Sequence, residues 1–247
     1  MHRRTALGAM AASVLAACGG GGGGGPSGVV TTEANLAATA TATASAAVAF
    51  AGSPSIAVWG DSHTAGLPDN GAVPGYAAML QQTGGGRTVF TGGFAGLTSV
   101  EIANRQVADN AHDDWVNVFW YGGNNQTQPE QVKADIARSV ASLAPGNDRF
   151  IVLPVINQAS PWERRGGAGY QTIVNLNRDL ALAYPNNYLD IRSYLVNLYD
   201  PSNAMDVFDF QDDVPPTSLR ADGVHLNASG AMAVARRVLA FIVAKGW

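Results

Sequence analysis

The sequence predicts an α/β fold, a three-layer α/β/α sandwich built on a parallel sheet. Three observations predict it. Short apolar runs alternate with segments of helical period from Ser55 to the end of the chain, the pattern of a parallel sheet covered on both faces. The intervening segments place their apolar residues on one helical side. Glycine-rich stretches then follow the apolar runs, where turns are needed.

The runs that read as strands are Ile56 to Trp59, Thr88 to Phe90, Trp115 to Tyr121, Phe150 to Val155 and Tyr188 to Asp190. Five strands suffice for a small sandwich. Between them, Val132, Ile136, Val140 and Leu143 fall on one helical face, as do Ile173, Leu176 and Leu180. Asn227 is the expected N-cap of a last helix that turns Val234, Val238, Phe241 and Ile242 inward and ends at Gly246. No repeat of solenoid period is visible.

The chain has 247 residues, 47% of them apolar and 14% charged, which bounds the answer at one well-buried domain plus an N-terminal extension. The formal charge of −4 argues against a nucleic-acid partner. The lone cysteine, Cys18, excludes an internal disulfide framework.

Residues 1–17 have the layout of a secretory leader: His2, Arg3 and Arg4, then an uncharged apolar stretch too short to span a bilayer. Leu15-Ala16-Ala17-Cys18 resembles a bacterial lipobox, which implies cleavage before Cys18 and acylation of its thiol and amine. Several acyl chains on one residue suffice to hold a domain on a membrane. Arg3-Arg4 also faintly resembles a twin-arginine signal. Residues 18–53 then hold the glycine run Gly19 to Gly25 and an Ala/Thr-rich stretch, a linker that cannot pack a core. The folded domain is expected over 54–247, exported and tethered to the cell envelope.

In parallel sheets, ligands bind outside the carboxyl ends of the strands, so those ends hold the candidate site. After the first strand stands Gly60-Asp61-Ser62-His63; after the second, Gly92-Gly93-Phe94-Ala95-Gly96; after the third, Gly122-Gly123-Asn124-Asn125. Before the last helix comes Asp222-Gly223-Val224-His225. Each block alone is a weak signal. In this order they resemble the SGNH, or GDSL-like, hydrolase family, over roughly Ile56 to the C-terminus. The resemblance implies a flavodoxin-like fold of strand order 2-1-3-4-5, and an esterase needing no cofactor or metal. It also implies Ser62 as nucleophile, His225 as base, Asp222 as the residue that orients it, and the Ser62 amide, Gly93 and Asn124 as oxyanion-hole donors.

Those residue types suit the chemistry in their own right. A serine hydroxyl attacks an ester only when a base takes its proton, and neutral imidazole has a suitable pKa. A carboxylate three residues before the histidine can hold the ring's other N–H. Amides then meet the charge that develops on the carbonyl oxygen. Two positions depart from the family pattern: His63 stands where leucine is common, and Asn125 where aspartate is frequent.

Rival readings are a metal site on Asp61, His63, Asp222 and His225, a non-catalytic envelope lipoprotein, and an acyltransferase that passes the acyl group to a glycan hydroxyl. The metal reading leaves Ser62, Gly93 and Asn124 unexplained, and dinucleotide binding fails because Thr91 stands where its glycine fingerprint needs a glycine. For the substrate, expectations rest on Trp120 and Tyr121 at the end of the third strand, on His63, and on two long connections. One of these, Asn157 to Gly169, carries Trp162, Arg164 and Arg165, an apolar face and positive charge suited to a sugar or an acidic ester. The other is Tyr199 to Ala221. A short acyl or O-acetyl ester, on a small molecule or an envelope glycan, is the expected substrate. The sequence carries no signal for oligomeric state.

Overall fold

A computed structural model describes residues 55–71 and 73–247. The leader, Cys18 and the linker lie outside the described residues. The elements run, in chain order, β1 (Ile56–Gly60), α1 (Ser62–Ala65), α2 (Tyr76–Thr83), β2 (Val89–Thr91), α3 (Ser99–Val107), β3 (Val116–Trp120), α4 (Pro129–Ala141), β4 (Phe150–Val152), α5 (Tyr170–Ala183), α6 (Ile191–Val196), α7 (Ala204–Gln211), a 3₁₀ turn (Thr217–Leu219) and α8 (Ala228–Ala244). The strands form one sheet of order β2-β1-β3-β4, with every pairing parallel.

Strand alternation sorts the core. Ile56 and Val58 of β1, with Val116, Val118 and Trp120 of β3, point to one face, where they meet Leu80 of α2, Leu195 of α6 and Val234, Val238 and Ile242 of α8. Ala57, Trp59 and Phe119 point to the other and meet Ile102 of α3, Ile136 of α4 and Ile173, Leu176 and Leu180 of α5. All five residues of β1 and of β3 are buried, as central strands of a doubly covered sheet must be.

Two sequence expectations need correction at the far edge of the sheet. The fourth strand stops at Val152 rather than Val155, and the fifth is reduced to a single parallel bridge, Val152 with Tyr188. Proline explains the first: Pro154 has no N–H to extend a ladder, and Asn177 of α5 serves Val155 instead, its Oδ1 accepting from the Val155 N–H at 2.9 Å and its Nδ2 donating to the Val155 carbonyl at 2.8 Å. The second has a competing helix. Asp190, expected within the strand, caps α6 by accepting from the Ser193 N–H at 2.9 Å, so the chain turns away after Leu189.

At the opposite edge the three-residue β2 has its Val89 N–H taken by the side-chain oxygen of Gln81, at 3.0 Å. The connection from Tyr199 to Ala221, expected as loop, instead contains α7 and the 3₁₀ turn. Asn203 caps α7 with bonds to the Met205 and Asp206 amides, a signal present in the sequence. Asn227 caps α8 through the Ser229 and Gly230 amides, at the position expected. Among the described residues no helix is long and apolar enough to cross a membrane.

Candidate active site

Strand order decides where the site is. With β1 between β2 and β3, the turns leaving these three strands lie side by side at the carboxyl edge, and the pairing of Gly60 with Trp120 brings the β1 and β3 turns level. Ser62 opens α1 immediately after β1, where Asp61 caps the turn by accepting from the His63 N–H at 3.0 Å. That tight turn holds Ser62 buried but at the rim of a pocket.

The remaining partner comes from the far end of the chain. His225 stands on the turn before α8, its Nε2 3.1 Å from Ser62 Oγ and its Nδ1 2.9 Å from Asp222 Oδ2. A proton on Nδ1 donated to Asp222 leaves Nε2 to accept from the Ser62 hydroxyl, so the carboxylate selects the tautomer. Asp222 Oδ1 accepts in addition from the Val224 and His225 amides, both at 2.7 Å. Partial desolvation works to raise the Asp222 pKa, but these amide bonds and the His225 ring outweigh it and draw it down to about 2. Asp222 is therefore ionised throughout the neutral range.

The Ser62 and Gly93 amides take no protein hydrogen bond among the described residues. Gly93 abuts α1 so closely that a Cβ there would lie 2.7 Å from Thr64 Cγ2, so only glycine lets the β2 turn approach the serine turn. Gly93 itself is not part of the pocket wall. Asn124 is, and one of its side-chain N–H groups donates to the Leu97 carbonyl at 2.9 Å, leaving the second. Asn125 braces the same turn: its Oδ1 accepts from the Ser99 N–H and its Nδ2 donates to Ser99 Oγ, which in turn donates to Asp135. An aspartate could not make that second bond, which accounts for the departure at this position.

The pocket around Ser62 is walled by Asp61, His63, Trp120, Asn124, Glu163 and Val224, and completed by Gly123, Val155, Ile156 and Gln158. His63 stacks on Trp120 with ring centroids 5.0 Å apart, and its ring lies 5.8 Å from that of His225. Its Nδ1 is buried without a partner. Burial, followed by the field of His225, lowers its pKa against the opposing pull of Asp61 and Asp222, so His63 is neutral at neutral pH.

Three of the expected substrate contacts are placed elsewhere. Tyr121 points to the opposite face of the sheet, fully buried with its hydroxyl 2.8 Å from Ser139 Oγ; strand alternation sends it there once Trp120 faces the pocket side. Trp162 packs on Gly169, where a Cβ would lie 2.2 Å from its ring. Arg164 is spent on Asp209 and Asp212, at 2.8 and 3.1 Å, and lies over the Phe208 ring. The loop from Asn157 to Gly169 does reach the pocket, through Gln158 and Glu163, which the sequence reading passed over. Glu163 is buried, its carboxylate accepting from Gln126 Nε2 at 2.8 Å and the Gln158 N–H at 2.6 Å. A glutamate between two bulky neighbours carried no motif; the signal available was only that long loops tend to line sites. Among the described residues no group of three or more His, Cys, Asp or Glu side chains is arranged to hold a metal ion.

Comparison with known proteins gives the fold. The chain is similar to a lipolytic protein of the G-D-S-L family from Desulfitobacterium hafniense, at 17% identity and a TM-score of 0.56, covering 76% of this chain and 99% of that one. It is equally similar to the lipase/acylhydrolase from Enterococcus faecalis, at 17% identity and 0.56 over 78% and 96%. The acetyl xylan esterase AlAXEase matches at 17% identity and 0.55 over 75% and 98%. The chain thus has the parallel α/β fold of the GDSL, or SGNH, hydrolases. In sequence, it is 28% identical over 149 residues to a tail spike protein of Salmonella phage epsilon15, a stretch that is 55% of this chain, and the chain spans only 14% of that relative's length. No family model matches.

Proposed function

We propose that the protein is a serine ester hydrolase in which Ser62 forms an acyl-enzyme and His225, oriented by Asp222, is the base. The observation that carries the proposal is the unbroken line of hydrogen bonds from Asp222 through His225 to Ser62 Oγ, joining groups 163 residues apart in the chain. His225 takes the hydroxyl proton as Ser62 attacks the ester carbonyl, then returns it to the departing alcohol; water deacylates the enzyme by the same steps in reverse. The Ser62 and Gly93 amides and the second N–H of Asn124 are the donors for the oxyanion.

The substrate class we infer is a short acyl ester, with O-acetyl groups on glycans first. Trp120, Val155 and Ile156 supply apolar wall beside Ser62, while Gln158 and Glu163 offer hydrogen bonds to hydroxyls; one protein of like fold is named for acetyl xylan. The setting we infer is the cell envelope, with residues 1–17 as leader and acylated Cys18 as tether.

Ser62→Ala is expected to lower kcat on p-nitrophenyl acetate on the order of 10⁴-fold or more. It is also expected to abolish mass-spectrometric labelling of the protein by a fluorophosphonate. Full turnover by the variant, or activity that EDTA removes and added metal restores, would refute the serine mechanism. Acetate release is to be measured from acetylated glycans beside p-nitrophenyl esters of rising chain length. No release from any glycan would withdraw the glycan assignment and leave the serine chemistry standing.

A further inference from the structure

The turn that carries the proposed base is poorly enclosed by its own residues. Asp222 has a side chain 47% exposed, and a single antiparallel bridge between Arg220 and Leu226 closes the turn, with the Ala221 N–H donating to the His225 carbonyl at 2.9 Å. Catalytic groups must be held to within about 0.5 Å by their surroundings. Within the turn the Asp222 carboxylate accepts from the Val224 and His225 amides, and a further restraint from outside it leads to one buried carboxylate.

Asp209, on α7, is completely buried. Its Oδ1 accepts from Arg164 Nη2 at 2.8 Å, and its Oδ2 accepts from Thr217 Oγ1 and from Arg220 Nη2, each at 2.5 Å. Arg220 spreads its planar fork over four acceptors. Besides Asp209 these are Thr217 Oγ1 at 3.0 Å, the Pro215 carbonyl at 2.8 Å and, through Nη1, the Asp222 carbonyl at 3.0 Å. A guanidinium stays charged at every working pH and keeps its donors in one plane, so Asp222 is tied at a fixed angle to the body of the domain. On its other side Asp209 holds Arg164, next in sequence to the pocket residue Glu163, and the loop closes back on the turn where the Ala159 N–H donates to the Gly223 carbonyl at 2.7 Å. One buried anion thus fixes both the wall of the pocket and the turn that bears His225.

We propose that Arg220 is a positioning residue for His225, holding the Asp222 carbonyl against Asp209 so that the imidazole keeps its place between Asp222 and Ser62. Arg220 touches no reacting atom; it acts through the backbone of the turn. The consequence for turnover rests on the serine-hydrolase reading above, whereas the geometric claim stands apart from it.

Removing the Arg220 charge would leave the buried Asp209 with Arg164 as its remaining cation, so the informative variant is Arg220→Lys, which keeps a second cation beside Asp209 but cannot reach the Asp222 carbonyl at the same time. The measurements are the thermal transition, the downfield Nδ1–H proton resonance of His225 in ¹⁵N-histidine-labelled protein, and kcat and KM on p-nitrophenyl acetate. The variant is expected to fold, to lose or shift the His225 resonance, and to lower kcat on the order of 10²-fold with KM unchanged, as a misplacement of about 1 Å does. Asp209→Asn is expected to move the same resonance in the same direction. A folded Arg220→Lys protein with the wild-type resonance and the wild-type kcat would overturn the proposal, as would the absence of that resonance from the wild-type protein. If the wild type shows the resonance but neither hydrolyses esters nor labels at Ser62, the hydrolase reading fails and the resonance of Arg220→Lys still decides the brace.

Discussion

His63 sits in an environment that works against its ordinary chemistry. It stacks on Trp120 with a buried, unpartnered Nδ1 and with its pKa lowered by burial. Above about pH 6.5 the ring is neutral in both the folded and unfolded chains, and no linkage arises. Below it the unfolded chain takes a proton that the folded protein refuses, so stability falls as pH drops. His63→Leu removes both the pH penalty and an unsatisfied polar atom. It is expected to be about 1 kcal/mol more stable at pH 7.5 and to lose less stability than the wild type on passing to pH 5, as read from urea midpoints at the two pH values. A wild-type slope in the variant would show that His63 does not set the acid limb. At this scale the meeting of Ser62, His225 and Asp222, with Asn124 in the same pocket wall, was legible in the order of the strand-end motifs. Tyr121 and Arg164 lie away from the pocket wall, which a residue type without its direction does not reveal: alternation sends Tyr121 to the far face, and Asp209 claims Arg164 from 45 residues away. Glu163 and Arg220 escaped notice because a pocket wall and a brace are made by tertiary proximity alone.

At the scale of elements, the helices with a clear apolar face lie where periodicity puts them, and β1 and β3 differ from expectation only at their ends. The far edge of the sheet is where expectation and structure part, and there a side chain substitutes for a strand. Asn177 of α5 supplies both partners of Val155 in a buried setting. Asn177→Ala leaves an N–H and a carbonyl unpaired in the interior, at a cost of about 3 kcal/mol. Chemical denaturation is expected to show that loss together with faster amide exchange at Val155. A change within a few tenths of a kcal/mol would mean that the edge repacks around the gap. Periodicity cannot reveal such a bond, because Asn177 lies beside Leu176 on the buried side of α5 and reads as an interruption in an apolar stripe.

On the scale of the whole molecule, acid sensitivity follows from the carboxylates that tie distant segments together. Asp209 and Asp213 are desolvated, which works to raise their pKa values. Hydrogen bonds outweigh it and lower both: those from Thr217, Arg220 and Arg164 to Asp209, and those from Tyr170 and Arg192 to Asp213. Asp222 is drawn down in the same sense to about 2. The stability these groups contribute is complete above about pH 4, the ordinary aspartate range, and is lost as pH falls through their lower folded values. The wild type is therefore expected to lose stability steeply from pH 4 toward 2. Asp209→Asn should begin less stable and show a shallower slope across that interval in thermal melts, and a parallel slope would assign the acid limb to other groups.

The margins of the sheet bear on how copies of this molecule behave when crowded together. A parallel sheet that ends in long, unoccupied strands invites a foreign strand to continue it. Here one margin is a three-residue strand with an outward amide already satisfied by Gln81, and the other runs into Pro154 and the amide of Asn177. Neither border offers a long free strand, and the side chains that blunt them, Gln81 and Asn177, lie outside the pocket around Ser62, so resistance to edge-to-edge pairing is separate from the chemistry at the strand-end turns.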